Sequence, residues 1–236
     1  MNKIHFKEID STNTWLKENY RTLEDMTSVS ARLQTAGRGR RGRSWESQEG
    51  NLYLSLLLKD EKYLRHVDAI STVSAYLILK VLEGYGIKDL GIKWPNDIYV
   101  KDEKICGILL ESVSTDRLEC LIIGIGLNVN QKEFSGDYRQ KPVSMRMLTG
   151  RDTDLDQLED DVCKALTEGL NQLNKGHDFH AQISRYDYLR DKDVYALIED
   201  KKEAVHVLGI SPGYTLEVIC KDLRKNLRSS EISFHL

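Results

Sequence analysis

The chain reads as an α+β protein built on a mixed β-sheet, with a small β unit at its C-terminal end. Three observations lead there. Between Ile4 and Val129, apolar strand patterns follow one another with few helices between them. Two long segments, residues 68–85 and 154–174, carry apolar side chains at helical spacing. Near Asp191 the character changes to short alternating runs separated by turn residues. The expected division is residues 1–190 for a main domain and 191–236 for a small barrel docked on it.

The totals agree with that plan. A chain of 236 residues, 40% hydrophobic and 30% charged, can close a real core. Mean hydropathy is −0.45, and no apolar run reaches the length of a membrane span. Met1-Asn2-Lys3-Ile4-His5-Phe6 has no apolar signal core, so the cytoplasm is the expected compartment. Cys106, Cys120, Cys163 and Cys220 lie far apart in apolar patterns, which fits buried thiols rather than a zinc spacing or a disulfide framework.

Taken in order, residues 4–9 read as a strand running into Asp10-Ser11-Thr12-Asn13, a cluster able to cap a helix over residues 14–19. Residues 21–27 form a polar connection, and residues 28–33 and 51–58 are core strands. Residues 68–85 form a core helix ended by Gly84 and Gly86. Pro95 breaks residues 91–100 into strand, tight break and strand. Lys101-Asp102-Glu103-Lys104 is a hairpin-like turn into residues 105–113, and residues 118–129 are another strand. Residues 131–141 read as loop, 142–149 as a short helix begun by Pro142, 154–174 as an amphipathic helix and 179–189 as one more helix. The C-terminal strands are expected at 195–198, 204–208, 214–219 and 232–234, with turns at 199–202 and 211–213.

The stretch richest in chemistry joins the two strands before residue 60. Gln34-Thr35-Ala36-Gly37-Arg38-Gly39-Arg40-Arg41-Gly42-Arg43-Ser44-Trp45 brings non-titrating cations onto a loop whose glycines allow close backbone approach to a ligand. Arginine-glycine tracts also serve nucleic-acid binding. Here the tract sits between two well-patterned strands, and a net charge of −3 with a pI near 6.1 provides no global field for nucleic acid. The local charge suits a clamp on one anionic ligand.

Three further stretches join it. Lys93-Trp94-Pro95-Asn96-Asp97 can aim a lysine and two polar side chains from a rigid break, although a snorkelling lysine and a turn-forming Asp97 would read the same way. Lys104 reads either as a ligand contact or as a hairpin lysine. Gly124 and Gly126 alternate in a strand and strip side chains from one face, leaving room for a flat ligand. No nucleophile–base pair, P-loop or metal-spaced histidine pair is present. Cations, amides and glycines suit the joining of two negatively charged substrates with stabilisation of charge at phosphorus.

These motifs, with Asn51-Leu52-Tyr53-Leu54-Ser55, Lys104-Ile105-Cys106-Gly107-Ile108-Leu109 and Gly124-Ile125-Gly126-Leu127-Asn128-Val129-Asn130, resemble in order the biotin protein ligases. The resemblance implies a class II synthetase-like catalytic domain with an SH3-like C-terminal domain. It also implies a two-step reaction: the biotin carboxylate attacks the α-phosphate of Mg-ATP to give biotinyl-5'-AMP, and a lysine of a biotin carboxyl carrier domain then displaces AMP. It identifies Ser11, Thr12, Asn13, Gln34, Gly37, Arg38, Gly39, Arg40, Lys104 and Gly107 with the biotin site. Arg38, Arg40, Arg43, Trp45, Lys93, Asn96 and Asn128 are identified with the ATP site, and Lys104, Arg40, Lys93 and Asp97 with catalysis. The metal would travel mainly on the ATP phosphates. The ligase motifs begin at Asp10, so no N-terminal DNA-binding domain, no DNA partner and no repressor function are expected, nor any membrane partner. Ser229-Ser230-Glu231-Ile232 stands where the family has a Ser-Gly-Glu-Val-type segment, a departure at the turn. A lipoate or octanoate ligase is the alternative enzyme, and a nucleic-acid binder the alternative outside enzymes. Some family members pair through the sheet edge; the residues here do not decide it.

Overall fold

The computed structural model describes residues 2–136, 138, 140–198 and 201–228, and the backbone of 232–235. Seven strands make the main sheet: β1 (Lys3–Ile9), β2 (Ser28–Gln34), β3 (Leu52–Leu58), β4 (Leu90–Lys93), β5 (Asp97–Val100), β6 (Glu103–Ser114) and β7 (Leu118–Leu127). Their order is β1-β2-β3-β7-β6-β5-β4; β1 and β2 are parallel and every other pair is antiparallel. This is the expected mixed sheet.

Strand alternation sorts the side chains into two faces. Leu54, Leu56, Ile108, Leu121, Ile123 and Ile125 point into the main core. That face is covered by α3 (Val67–Gly84), against which α5 (Leu155–Asn174) packs. Helix α3 lies between sheet and helix, which explains why it is apolar nearly all round. Helix α5 is an outer helix with one apolar stripe; Gly169 on it receives the Leu77 side chain, whose nearest carbon lies 2.3 Å from where a Cβ would stand. Asp154 starts α5 by accepting hydrogen bonds from the amides of Asp156 and Gln157.

The opposite face is covered only in part. Helix α1 (Thr12–Asn19), capped by Ser11, sets Leu16 on Val29, Leu57, Cys120 and Ile122. Further along β6 and β7 the positions of the same parity are Gly107, Gly124 and Gly126, with Gly107 directly opposite Gly126. Helix α1 reaches only Gly124, through Asn13. Half of this face is thus a packed core and half a trench floored by glycines, with Leu109 opposite Gly124.

Several local expectations change. Lys104 lies within β6 rather than in the turn, because its amide bonds Lys141 and its carbonyl accepts from Val143 on the side not used by β5. Pro142 does not begin a helix: it pairs with Lys104, and α4 (Met145–Thr149) starts from a Ser144 cap. Residues 179–189 hold a single turn, α6 (His180–Ile183), followed by a 3-10 turn, since Tyr188 donates its amide to Ile92 and Asp187 bridges to it. A short helix α2 (Glu61–Leu64) and a 3-10 turn at Tyr20–Thr22 were not foreseen.

The C-terminal unit is a five-stranded antiparallel sheet of SH3-like type, formed by β8 (Asp193–Ile198), β9 (Lys201–Ile210), β10 (Leu216–Cys220), β11 (Leu223–Leu227) and β12 (Ile232–His235), in the order β11-β10-β9-β8-β12. Lys201 and Lys202, expected in a turn, begin β9, while β11 has no counterpart in the expected strands. Residues 199–200 and the Ser229-Ser230-Glu231 departure lie outside the described residues. The sheet is joined to the main domain by the Ile210 amide donating to Asp187 (2.9 Å) and the Trp94 indole donating to the Tyr214 carbonyl (2.9 Å). Among the described residues no helix is long and apolar enough to cross a membrane.

Candidate functional site

The glycine trench is closed from above by the loop between β2 and β3. The loop is a small finger rather than a structureless connection: Gly39 donates to Arg43 (2.7 Å), Trp45 donates to Gly37 (2.9 Å), and Arg38 and Ser44 bridge. Its tip turns at Arg41 and Gly42, both with positive φ. At Gly37 the two legs come so close that a Cβ would stand 2.4 Å from the Trp45 carbonyl oxygen. The finger lays the Trp45 indole on the trench. A Cβ at Gly126 would lie 2.4 Å from that ring and one at Gly107 2.7 Å from it. Side chains at either position would evict the tryptophan.

One end of the trench is a hydrogen-bonded polar network at the start of α1, backed by the Glu111 carboxylate and its partners Lys17 and Arg38. Asn13 accepts from Ser55 (2.5 Å) and donates to Glu111 (2.8 Å). The Thr12 amide donates to the Gln34 side-chain oxygen (3.0 Å), and the Thr12 hydroxyl lies 2.7 Å from that of Ser55. Gln34 in turn donates to Ser47 on the finger (3.2 Å). Asn13 lies so close to the strand that a Cβ at Gly124 would meet its side-chain oxygen at 2.2 Å. Burial pushes the Glu111 carboxyl up, but hydrogen bonds from Lys17 and Asn13 and the charges of Lys17 and Arg38 outweigh it and hold it below its ordinary value.

The other end is cationic. Lys104 pairs with Asp97 at 2.8 Å, and its ammonium stands 5.1 Å from the centre of the Trp45 ring. Arg40 donates to the Asn96 side-chain oxygen (3.0 Å), and Asn96 is oriented by donating to the Ile108 carbonyl (2.7 Å). Burial lowers the Arg40 guanidinium from its ordinary value; Asp97 opposes this, while Arg41 and Arg43 add to it. Lys93 is buried beside Tyr99. The turn carrying Asn96 and Asp97 is braced by Ser71 and Thr72, whose hydroxyls both donate to the Pro95 carbonyl (3.2 Å each).

Of the residues singled out from sequence, Ser11, Thr12, Asn13, Gln34, Arg38, Gly39, Arg40, Arg43, Trp45, Lys93, Asn96, Asp97, Lys104 and Gly107 line this one cleft. Gly37 and Asn128 do not. Gly37 serves the crossing of the finger's legs, and Asn128 donates to the Lys104 (3.4 Å) and Val143 (3.1 Å) carbonyls, holding the strand that carries Lys104. Sequence reading names Ser55 and Leu109 only within motifs, with no site role, and gives no signal for Glu111 and Gln140 as site residues. Ser55 is the one small polar residue in a strand of leucines and a tyrosine, directly opposite Gly124, and Glu111 shares strand parity with Gly107 and Leu109.

A hydrogen-bonding end, a flat slot and a cationic end can hold a small polar head, an apolar body and an acidic tail in line. The cations then meet the tail where a second anion would join it. Among the described residues no cluster of three or more His, Cys, Asp or Glu is placed to hold a metal ion.

Comparison with known proteins agrees with this geometry. The model of the biotin/lipoate A/B protein ligase family matches residues 5–128. The bifunctional ligase/repressor BirA of Salmonella typhimurium is 32% identical over 210 residues, 87% of this chain and 64% of that protein. The biotin--[acetyl-CoA-carboxylase] ligase of Paracoccus denitrificans is 33% identical over 174 residues, 70% of this chain and 71% of that protein. The match to a further BirA, from Bacillus spizizenii, spans 41% of its length, so the chain spans less than two thirds of the first curated relatives it matches. The biotin protein ligase of Aquifex aeolicus in complex with biotin and ATP superposes with a TM-score of 0.89 at 31% identity, covering 99% of this chain and 98% of that one. Sequence, fold and cleft converge, and the chain belongs to the biotin/lipoate A/B protein ligase family, among its biotin protein ligases.

Proposed function

We propose that this chain activates biotin with ATP as biotinyl-5'-AMP and transfers the biotinyl group to a lysine of a biotin carboxyl carrier domain. The observation that carries the reading is the glycine trench, closed by the Trp45 finger and flanked by Lys104 and Arg40. On this reading the Thr12–Asn13–Ser55 network takes the ureido head, and the part of the cleft between that network and Trp45 takes the fused rings. The valeryl carboxylate then points to Lys104. Arg38, Arg40, Arg43 and Lys93 neutralise the triphosphate, whose divalent cation arrives with the nucleotide as part of the substrate. A carboxylate oxygen forms its bond to the α-phosphorus as pyrophosphate leaves; in the second step the acceptor amine forms the amide as AMP leaves. Lys104 faces the shared acyl-phosphate oxygen in both. The finger keeps water from the mixed anhydride.

The acceptor has an approach route. Beyond Gly107 the β6 edge has no strand partner on the β5 side among the described residues, and it opens beside Arg40 and Asn96. Such an edge suits an incoming polypeptide strand. Residues 1–190 would then supply catalysis and 191–236 the SH3-like support.

The test is the intact mass of a biotin carboxyl carrier domain after incubation with the protein, Mg-ATP and biotin, with lipoate and octanoate in parallel. A single ATP-dependent biotinyl addition is expected. Transfer of lipoate or octanoate instead would move the substrate within the family, and no transfer of any acid would overturn the reading. A second prediction concerns the head-group network. Gly124→Ala is expected to push Asn13 aside and weaken biotin binding about tenfold or more by calorimetry, at a stability cost of about 1–3 kcal/mol. Unchanged affinity would remove Asn13 from the biotin site.

A further inference from the structure

The ammonium of Lys93 lies 5.0 Å from the centre of the Tyr99 ring and 3.4 Å from its hydroxyl oxygen. The Tyr99 hydroxyl donates its single proton to Gln140, so it meets the cation as an acceptor. On its other side Tyr99 stacks on Tyr188, with centroids 5.0 Å apart and planes 27° from parallel. Tyr188 carries the ammonium of Lys192 at 3.4 Å from its ring centre and donates its own hydroxyl to Asp102 (2.8 Å). Lys192 is tied to the C-terminal sheet, because its carbonyl accepts from Val207 of β9 (2.9 Å). Two cations and two rings thus form one column, running from the cleft to the start of the C-terminal unit.

We propose that Tyr99 is a positioning residue for Lys93, and that the Lys93–Tyr99–Tyr188–Lys192 column fixes the direction in which the Lys93 ammonium meets the nucleotide phosphates. This rests on the functional reading above. A lysine stem has four rotatable carbons and no preferred fork, so an unsupported ammonium loses much of its entropy on meeting a phosphate. A ring face and a hydroxyl oxygen hold it in place beforehand, and a second ring holds the first. The effect falls on nucleotide binding. Biotin, at the opposite end of the trench, is left unaffected.

The experiment is biotin-dependent exchange of labelled pyrophosphate into ATP for the wild type, Tyr99→Phe, Tyr99→Leu and Tyr188→Leu, with biotin affinity by calorimetry and Tm measured on each. Tyr99→Leu is expected to raise the KM for ATP about tenfold while biotin affinity stays within about twofold. Tyr99→Phe keeps the ring and is expected to recover most of that loss; Tyr188→Leu, which touches no substrate, is expected to raise the same KM about threefold. A purely packing role would lower Tm and leave the ratio of the ATP to the biotin constants unchanged, and that result overturns the proposal. Should Tyr99→Leu fail to fold, the half-buried Tyr188 position carries the same test. Wild-type protein without biotin-dependent exchange would overturn the functional reading and this inference with it. Active wild type with an unmoved KM for ATP in both leucine variants overturns the inference alone.

Discussion

Lys104→Ala is expected to slow adenylation and acyl transfer alike, each by about 100-fold or more. The ammonium reaches the cleft from the second residue of β6, pairs with Asp97 at 2.8 Å and lies over the Trp45 ring. It stands beside Gly107, where a Cβ would be 3.1 Å from its nitrogen. On the proposed two-step reaction negative charge builds at the same oxygens in both steps, so one cation would serve both. The alternative, a strand lysine that merely balances Asp97, makes a different prediction, since removing it would disturb stability and spare the chemistry. Asp97 keeps a hydrogen bond from Asn96 (3.2 Å) in the variant, which limits the structural cost. Lys104→Met sharpens the comparison by keeping the stem over Trp45 while deleting the charge. Single-turnover formation of the adenylate and its transfer to the carrier domain, measured separately, give the two rates. Near-normal adenylation in both variants would reduce Lys104 to a structural residue.

Arg40→Ala is expected to leave the fold intact and to release the acyl-adenylate faster, by about 10- to 100-fold. Arg40 belongs to the finger's tip, outside the apolar core, and reaches across the mouth of the cleft to Asn96 (3.0 Å). A charge-assisted hydrogen bond in a half-buried setting contributes about 1.5–3 kcal/mol. Its loss frees the tip, while the Gly39–Arg43 and Gly37–Trp45 hydrogen bonds keep the legs paired. Adenylation is slowed as well, since a cation is lost from the triphosphate. The check is escape of labelled intermediate from a preformed complex, followed by rapid filtration against unlabelled biotin and ATP. Unchanged retention would show that the finger is held by its legs and Trp45 alone.

Much of this architecture could be read from residues because the sheet writes itself in parity. The run 52–58 is buried at every position and apolar apart from Ser55 and the Tyr53 hydroxyl because its strand is central and covered on both faces, and the breaks at Gly107, Gly124 and Gly126 fall at one parity. What escaped reading has a physical cause in each case. Helix α2 is a single turn, too short for any period. Strand β11 carries Arg224, Lys225 and Asn226 in succession, all exposed, so it has no alternation to detect; pairing with β10 alone makes it a strand. Pro142 reads as a helix start, but Lys104 bonds the residues on either side of it, the Lys141 carbonyl and the Val143 amide, and so draws it into a bridge. In the site, motifs identified most of the residues that touch the cleft, whereas those that orient them, Ser55 and Glu111, come from distant segments and meet Asn13 only in the folded chain. Asn128 illustrates the reverse: it sits in a glycine-rich motif, yet its amide is spent on two backbone carbonyls.

The position of Trp45 has an optical consequence. The chain has three tryptophans, Trp15, Trp45 and Trp94. Trp94 is fixed in the interior with its indole nitrogen bonded to the Tyr214 carbonyl, and Trp15 packs against Phe6 and the Leu16 cluster. Trp45 alone rides on the finger, with its buried indole nitrogen unpartnered among the described residues and a lysine ammonium over its ring. Emission from that indole responds to any change in the field of Lys104 or in the seating of the finger. The protein therefore carries its own fluorophore at the mouth of its cleft, and a variant that keeps Trp45 but replaces Trp15 and Trp94 is expected to report ligand arrival as a change in emission.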